Sequence, residues 1–366
     1  MSYPLEGIAP GYLIEFLENL RRNNESDYLN STTADIFSKY VLPATKDLKV
    51  AYTAKLAGKS VPDAWQEEMQ PAAGISTHFI SHAWGYKFRD FARAVLLWIE
   101  QNLRRENKAS SFLWIDIFSV NQHTPKPEGF WDHAFAYGVK TIGHTVLVIK
   151  PPLEPTPLKR IWCNWEIFNT VNQGIPLSIA MEESDKEFFT TCCDKDVSTV
   201  IAALSSIDIK GSNATVEEDK IRILGIISQS FLGIDGVNKK IKDAMLSYLL
   251  VEVTRLGKVD DVRLLLCLGA DPNTGSCPAI HEASYEGMIE IVRLLVSGGC
   301  NPDLLDSCGW TPISCACENG HFELVKFFVE ECKVNLQYRD WDGNRPLENA
   351  QRYGQLEIVK YLSSRN

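Results

Sequence analysis

What this sequence lacks narrows its function early. No apolar run approaches the roughly 20 residues that span a bilayer, so no membrane span is expected. The N-terminus, MSYPLEGIAPGYLIEF, has no basic region, no long apolar stretch and no small-residue cleavage site, which argues against a signal peptide. Basic charge is in deficit: 37 Lys and Arg face 47 Asp and Glu, a formal net charge of -10. Phosphate backbones need a basic face, so nucleic acid is not an expected partner. The modest cluster Arg104, Arg105 and Lys108 reads as the solvated end of a helix. Neither a P-loop nor a Gly-x-Gly-x-x-Gly run occurs, which disfavours an ATPase or a dehydrogenase. Ser81, His82 and Asp116 include the residue types of a hydrolase triad, but no Gly-x-Ser-x-Gly elbow surrounds the serine.

The ten cysteines are not spaced like a small secreted framework. Cys267, Cys315 and Cys317 sit at positions that read as buried helix, so reduced thiols in a cytoplasmic protein are expected. The pair Cys192–Cys193 and the group Cys308, Cys315, Cys317 with His321 lack zinc-site spacing, and no metal or resident cofactor is expected.

What is present is a globular composition, 45% apolar and 23% charged, over 366 residues, enough for two or three domains. Self-similarity with a period near 33 residues fills the C-terminal third. Ile280-His281-Glu282-Ala283 leads to Gly287, Ile313-Ser314-Cys315-Ala316 to Gly320, and Leu347-Glu348-Asn349-Ala350 to Gly354. Each glycine precedes an acidic residue and an apolar helix, and a partial copy runs through Gly257 and Gly269-Ala270-Asp271-Pro272-Asn273. The small alanine lets paired helices pack closely, and the glycine permits the positive φ that ends the first of them. These segments resemble ankyrin repeats, whose pattern is Thr-Pro-Leu-His-x-Ala. Thr311-Pro312-Ile313 matches its start and His281 its histidine, while Ser314 and Glu348 depart from it. The resemblance implies an all-α ankyrin-repeat stack over 246–366 that binds a protein partner. His281 reads as a hydrogen-bonded turn histidine.

Upstream, four apolar runs read as strands: Thr77–Ser81, Phe112–Ile117, Thr145–Ile149 and Pro176–Ala180. Helical patterns lie between them, which predicts a parallel sheet covered on both faces. This stretch resembles a TIR domain, an α/β flavodoxin-like parallel sheet. Phe79-Ile80-Ser81-His82-Ala83 matches the opening strand of many bacterial members, and Trp114-Ile115-Asp116 matches the second. Residues 121–130 fall at the family's long BB loop, and Trp162-Cys163-Asn164-Trp165-Glu166-Ile167 matches its third-helix pattern. More distantly, 1–250 resembles a protist and algal group with Ser-His-Ala-Trp (Ser81–Trp84) and Asp-x-Phe-Ser-x-Asn-Gln-His (Asp116–His123). The expected organisation is a helical N-terminal extension over 1–74, a TIR-like domain over 75–182, a helical extension over 183–245, and the repeats. Helices are expected over 11–22, 33–57 (interrupted at Pro43), 185–204 and 236–250. Thr215-Val216-Glu217-Glu218 reads as a capping box opening another.

Ligands of open α/β sheets gather at the carboxyl ends of strands where the strand order reverses. That predicts a crevice lined by Ser81–Gly85, Lys150–Pro152 and the helix of Glu166. Trp162, four residues from Glu166, shares its helical face. In catalytic TIR domains the glutamate matching Glu166 serves NAD cleavage at the nicotinamide–ribose bond. The resemblance therefore implies NAD as substrate, Glu166 as the catalytic residue, and Ser81, His82, Trp84, Asp116 and Trp162 as the residues around the nucleotide. Trp84 or Trp162 would stack on a ring, while Asp116 would cap a loop or touch ribose. The family also implies self-association through the BB loop. The alternative expectation is a non-enzymatic scaffold that mediates protein contacts.

Overall fold

The apolar runs of the middle segment do become strands. A computed structural model describes residues 5–62, 69–103, 108, 110–123, 129–273, 278–306 and 309–365. It divides into two units, 1–189 with 205–241, and 190–204 with 242–366.

In the first unit, the strands are β1 (Glu6–Ile8), β2 (Ser60–Pro62), β3 (Met69–Pro71), β4 (Ala73–Ile75), β5 (His78–Ser81), β6 (Leu113–Trp114), β7 (Thr145–Val148) and β8 (Leu177–Ala180). One six-stranded mixed sheet has the order β4-β1-β6-β5-β7-β8, and β2 pairs with β3 in a separate hairpin. β5 runs parallel to β6 and β7, and β7 parallel to β8, whereas β1 is antiparallel to β4 and β6. Every residue of β5 and β7 is buried, as expected of strands covered on both faces.

Side chains alternate across the sheet, and this alternation sorts the core. Ile80 joins an apolar cluster with Leu13, Phe88, Phe91, Val95, Ile99 and Val146. Phe79 points to the other face, where it stacks on Trp114 at 4.6 Å and meets Phe135 at 6.3 Å. Ser81, two residues on from Phe79, faces the same way. That parity aims its hydroxyl at the helix Ile161–Asn172.

Several expectations need correction. The segment 1–74 is helical at Pro10–Asn23 but also supplies β1 and β4 to the main sheet. The run Phe112–Ile117 is a strand only at Leu113–Trp114, because the chain turns into a short helix at Asp116–Ser119. The expected helix over 33–57 is broken into Thr33–Ile36, a wide π-type turn at Phe37–Val41, Leu42–Ala44 and Tyr52–Lys55. No capping box forms at Thr215: the helix Glu217–Gln229 begins after Val216, which makes no side-chain cap. The helix Glu183–Ser205 carries a non-helical residue at Asp196. Arg104 and Arg105 lie outside the described residues.

In the second unit, helix pairs recur at Ala279–Tyr285 with Ile289–Ser297, Pro312–Asn319 with Phe322–Phe327, and Pro346–Arg352 with Leu356–Ser363. The aligned Ala283, Ala316 and Ala350 are fully buried. Side chains stitch one repeat to the next: the Asn301 amide donates to Asn273 Oδ1 at 2.8 Å, and the Asn335 amide to Asp303 Oδ1 at 2.9 Å. His281 is buried and its Nε2–H donates to the Trp310 carbonyl at 3.0 Å, a structural role. Cys315 and Cys317 are buried, but Cys267 is exposed, because it ends its helix on the face opposite Val262 and Leu265. Cys308 lies outside the described residues. Among the described residues no helix is long and apolar enough to cross a membrane.

Gly287 has φ +70°, and a Cβ there would lie 2.4 Å from the His321 ring, which is itself held by the Tyr285 carbonyl at 2.8 Å. We predict that Gly287→Ala destabilises the repeats by roughly 1–3 kcal/mol through this conformation and clash. Chemical denaturation followed by circular dichroism checks it, and an unchanged midpoint would contradict the packing described.

Candidate functional site

Two polar links join the sheet to the helix Ile161–Asn172. Ser81 Oγ donates to Glu166 Oε2 at 2.5 Å, and the Thr145 and Thr170 hydroxyls meet at 2.9 Å. Glu166 and Thr170 are four residues apart and therefore on one helical face. Ser81 and Thr145 lie on adjacent strands, in the registers Ser81↔Leu147 and Phe79↔Thr145. Ser81 is fully buried and Glu166 is 7% exposed. Burial, which disfavours a carboxylate, pushes the Glu166 carboxyl up to about 8, although the Ser81 hydrogen bond and Arg160 act in the opposite direction. At neutral pH it is mostly a neutral acid.

The loops after β5 and β6 complete the cluster. Trp84 Nε1–H donates to Asp116 Oδ2 at 2.7 Å, while Asp116 Oδ1 accepts the Ile117 amide at 2.7 Å. Asp116 thus steadies the first turn of its short helix and anchors the indole. His82 stacks on Phe91 at 4.2 Å, and its buried Nε2 has no hydrogen-bond partner and stands 4.0 Å from Asp116 Oδ1. Burial holds the imidazole below its ordinary pKa, with Asp116 opposing that shift. Cys163 Sγ–H reaches the His82 carbonyl at 3.4 Å, and burial pushes its thiol up.

Of the six site residues expected from sequence, five therefore fall into one connected cluster: Ser81 with Glu166, and His82, Trp84 and Asp116 beside them. Trp162 has other neighbours. Its ring packs at 5.7 Å from Phe135, with the Arg222 guanidinium 5.9 Å away. Arg222 is in turn paired with Asp132 and Asp219 at 3.1 and 2.8 Å. The triad reading of Ser81, His82 and Asp116 fails on geometry, because the serine hydroxyl is given to Glu166 and not to the imidazole. Among the described residues no three His, Cys, Asp or Glu side chains gather to hold a metal.

Sequence reading passed over two supports of the crevice. Tyr86 OH donates to the Lys150 carbonyl and accepts from the Lys150 amide, both at 2.8 Å, so the loop after β5 is tied to the end of β7. Lys150 Nζ pairs with Asp185 at 2.8 Å and Asp90 at 3.2 Å. The second support is the tethering of the Asp116–His123 motif. Asn121 Nδ2 donates to the Lys49 carbonyl at 2.6 Å, and His123 Nε2 bonds Thr45 Oγ1 at 2.7 Å. The motif was visible in sequence, but its partners were not.

Comparison with known proteins bears on the second unit. Residues 280–366 match the family model for ankyrin repeats in three copies. The chain is 36% identical over 80 residues to the liver isoform of mitochondrial glutaminase from Mus musculus, covering 22% of this chain and 13% of that protein. It is 33% identical over 84 residues to cyclin-dependent kinase inhibitor 2A from Monodelphis domestica, covering 22% and 49%. It is 32% identical over 121 residues to human NF-kappa-B inhibitor alpha, covering 32% and 37%. The chain thus spans less than half the length of each of these relatives. Its C-terminal segment is an ankyrin-repeat array, a class of protein-binding module.

A buried carboxyl raised from 4.5 to about 8 binds more protons folded than unfolded between those values. Its contribution to stability is therefore full below about 4.5 and is lost progressively as pH rises to about 8. We predict that Glu166→Gln, which keeps an acceptor for Ser81, removes this loss and stabilises the protein at pH 8 relative to wild type. The ceiling is on the order of 5 kcal/mol. Denaturant midpoints measured across that range check it: parallel wild-type and variant curves would contradict a buried neutral acid.

Proposed function

We propose that this chain is a cytoplasmic signalling protein in which residues 75–182 are a TIR-like domain, 1–74 and 183–245 its extensions, and 246–366 an ankyrin stack that binds a partner protein. The partner reading rests on the ankyrin match, and two of the relatives are named as inhibitors of other proteins. The TIR-like reading draws support from the parallel order β6-β5-β7-β8, second-first-third-fourth in the chain order of the four strands. That is the beginning of a flavodoxin-like sheet, and its switch point lies between β5 and β7.

Within this reading, the TIR-like domain cleaves NAD at the nicotinamide–ribose bond. The observation that carries it is the Ser81–Glu166 pair at the carboxyl end of β5. In the reaction the bond from the nicotinamide nitrogen to the ribose carbon breaks, and its electron pair neutralises the pyridinium. Water adds to the ribose carbon and loses a proton. No acid need protonate the leaving group, so one carboxylate that holds ribose and offsets the oxocarbenium charge is sufficient. Ser81 orients that carboxylate, Trp84 and Asp116 flank it, and Trp162 acts through packing. Self-association involves residues 121–130, of which 124–128 lie outside the described residues.

A scaffold without catalysis is the second reading, and one observation favours it. Glu166 is enclosed, and that burial favours its protonated form, the state least suited to stabilising a cation.

Nicotinamide release from NAD by concentrated protein separates the two. The enzyme reading predicts release that rises as pH passes through about 8, as the carboxylate fraction grows, and that disappears in Glu166→Ala. No release from wild type, with or without a crowding agent, would leave the scaffold.

A further inference from the structure

The residue after each repeat glycine reaches back to the repeat before it. His321, after Gly320, donates from Nε2 to the Tyr285 carbonyl at 2.8 Å, and Gln355, after Gly354, donates to the Glu318 carbonyl at 2.8 Å. Tyr285 and Glu318 each stand two residues before a repeat glycine, Gly287 and Gly320, near the end of the first helix of their pair. Met288, after Gly287, has no proton to donate, but its methyl lies against the same end of the preceding repeat: a Cβ on Gly257 would be 3.8 Å from it.

Lys258, after Gly257, makes this contact with a segment that shows no repeat in sequence. Its Nζ donates to the Asp194 carbonyl and, at 3.2 Å, to the Cys193 carbonyl, and pairs with Asp194 Oδ1 at 3.1 Å. Asp194 stands two residues before Asp196, the non-helical residue inside the helix Glu183–Ser205. Asp196 divides that helix into two arms and caps the second: its Oδ1 accepts the Ser198 amide at 3.0 Å and its Oδ2 the Thr199 hydroxyl at 2.7 Å. The second arm also buries the positions that the repeats bury. Four and eight residues after the glycine stand Ile291 and Leu295, Leu324 and Phe328, Ile358 and Leu362, all buried; after Asp196 they are Val200 and Leu204, at 0% and 1% exposed. On the first arm, Thr190 Oγ1 donates to Glu252 Oε2 at 3.4 Å, and Arg255 links Glu252 to Glu282 of the following repeat. The packing of 190–204 accordingly falls with 242–366 and not with the sheet.

We propose that residues 190–204 are a degenerate ankyrin-like repeat that closes the N-terminal end of the array. Asp196 stands in for the glycine, and Lys258 fastens the segment by the contact that His321 and Gln355 make farther along. Residues 205–241, which belong to the first unit, are inserted where the chain would otherwise pass straight to the next repeat. The insertion and the missing glycine hide the period of about 33 residues. A stack of repeats needs an end unit that covers its last apolar face and turns a polar side outward. Thr191, Asp194, Lys195, Ser198 and Thr199 supply that side, for all are exposed. The array thus starts before Leu246. Its N-terminal end is occupied by this chain itself, which leaves the long face of the stack to a partner protein. The inference is independent of any activity at Glu166.

Hydrogen exchange of the full chain, read by mass spectrometry, tests it with Val200→Ala and Lys258→Leu. Val200→Ala opens a cavity in the side that covers the next repeat. An end unit predicts that amides of 242–267 then exchange about tenfold faster together with those of 197–204, while β5 and β7 are unchanged. Lys258→Leu gives the same pattern, the scale of a lost charged hydrogen bond. Lys258→Gln, which sets the side chain of Gln355 at this position, keeps exchange near that of wild type. Unchanged exchange over 242–267 in both Val200→Ala and Lys258→Leu would overturn the proposal, because an end unit cannot loosen without exposing what it covers. Faster exchange in β5 and β7 would overturn it as well, by placing 190–204 in the core of the first unit. Exchange in Lys258→Gln as fast as in Lys258→Leu would overturn the stacking contact assigned to Lys258.

Discussion

A carboxyl buried against a sheet needs a hydrogen-bonding partner, and much of the first unit is arranged to give Glu166 one. The Ser81 hydroxyl reaches it only because Ser81 is in phase with Phe79 on that face of β5 and because β5 ends there. The Thr145–Thr170 contact repeats the device one turn along the helix. Apolar packing alone lets a helix slide on a sheet with little penalty. Two buried polar contacts fix its rotation and its height together. Burial without a cationic partner in contact raises the cost of the carboxylate and so favours the protonated acid.

Around this contact the chain brings together segments distant in sequence. Trp84 from the loop after β5 reaches Asp116 after β6, Tyr86 clasps Lys150 after β7, and residues 24–49 are hydrogen-bonded to the first two of these loops. Each link is local chemistry of a familiar kind, an indole on a carboxylate or a phenol on main chain. Their convergence at the carboxyl ends of parallel strands is what makes the place a candidate site.

The parallel strands were legible in the sequence because strands buried on both faces read as unbroken apolar runs, as Thr145–Val148 does. The repeats were legible because Ala283, Ala316 and Ala350 recur with their glycines, and periodicity survives noise that a single helix does not. The strands β1 and β4 were not legible: three residues each, Glu-Gly-Ile and Ala-Gly-Ile, are too short to show alternation. Phe112–Ile117 looked longer than it is because Asp116 bends the chain, a tertiary matter settled by Trp84. Trp162 and Glu166 are four apart as read, yet their partners differ, because neighbours across a packed helix are decided by what approaches it. The Thr45–His123 tether was invisible for the same reason: the two residues are 78 apart in the chain.

Glu166 as a neutral acid in a closed site is the feature on which the rest of the first unit's chemistry depends. The infrared carbonyl stretch of a protonated carboxyl, isolated as the difference between wild type and Glu166→Gln, reports that state directly. Persistence of the band at neutral pH, with loss at a midpoint near about 8, is the predicted result. A band lost in the ordinary carboxylic range near about 4.5 would contradict it. Glu166 would then be an ionised, solvated side chain, and the closed site would not exist as described.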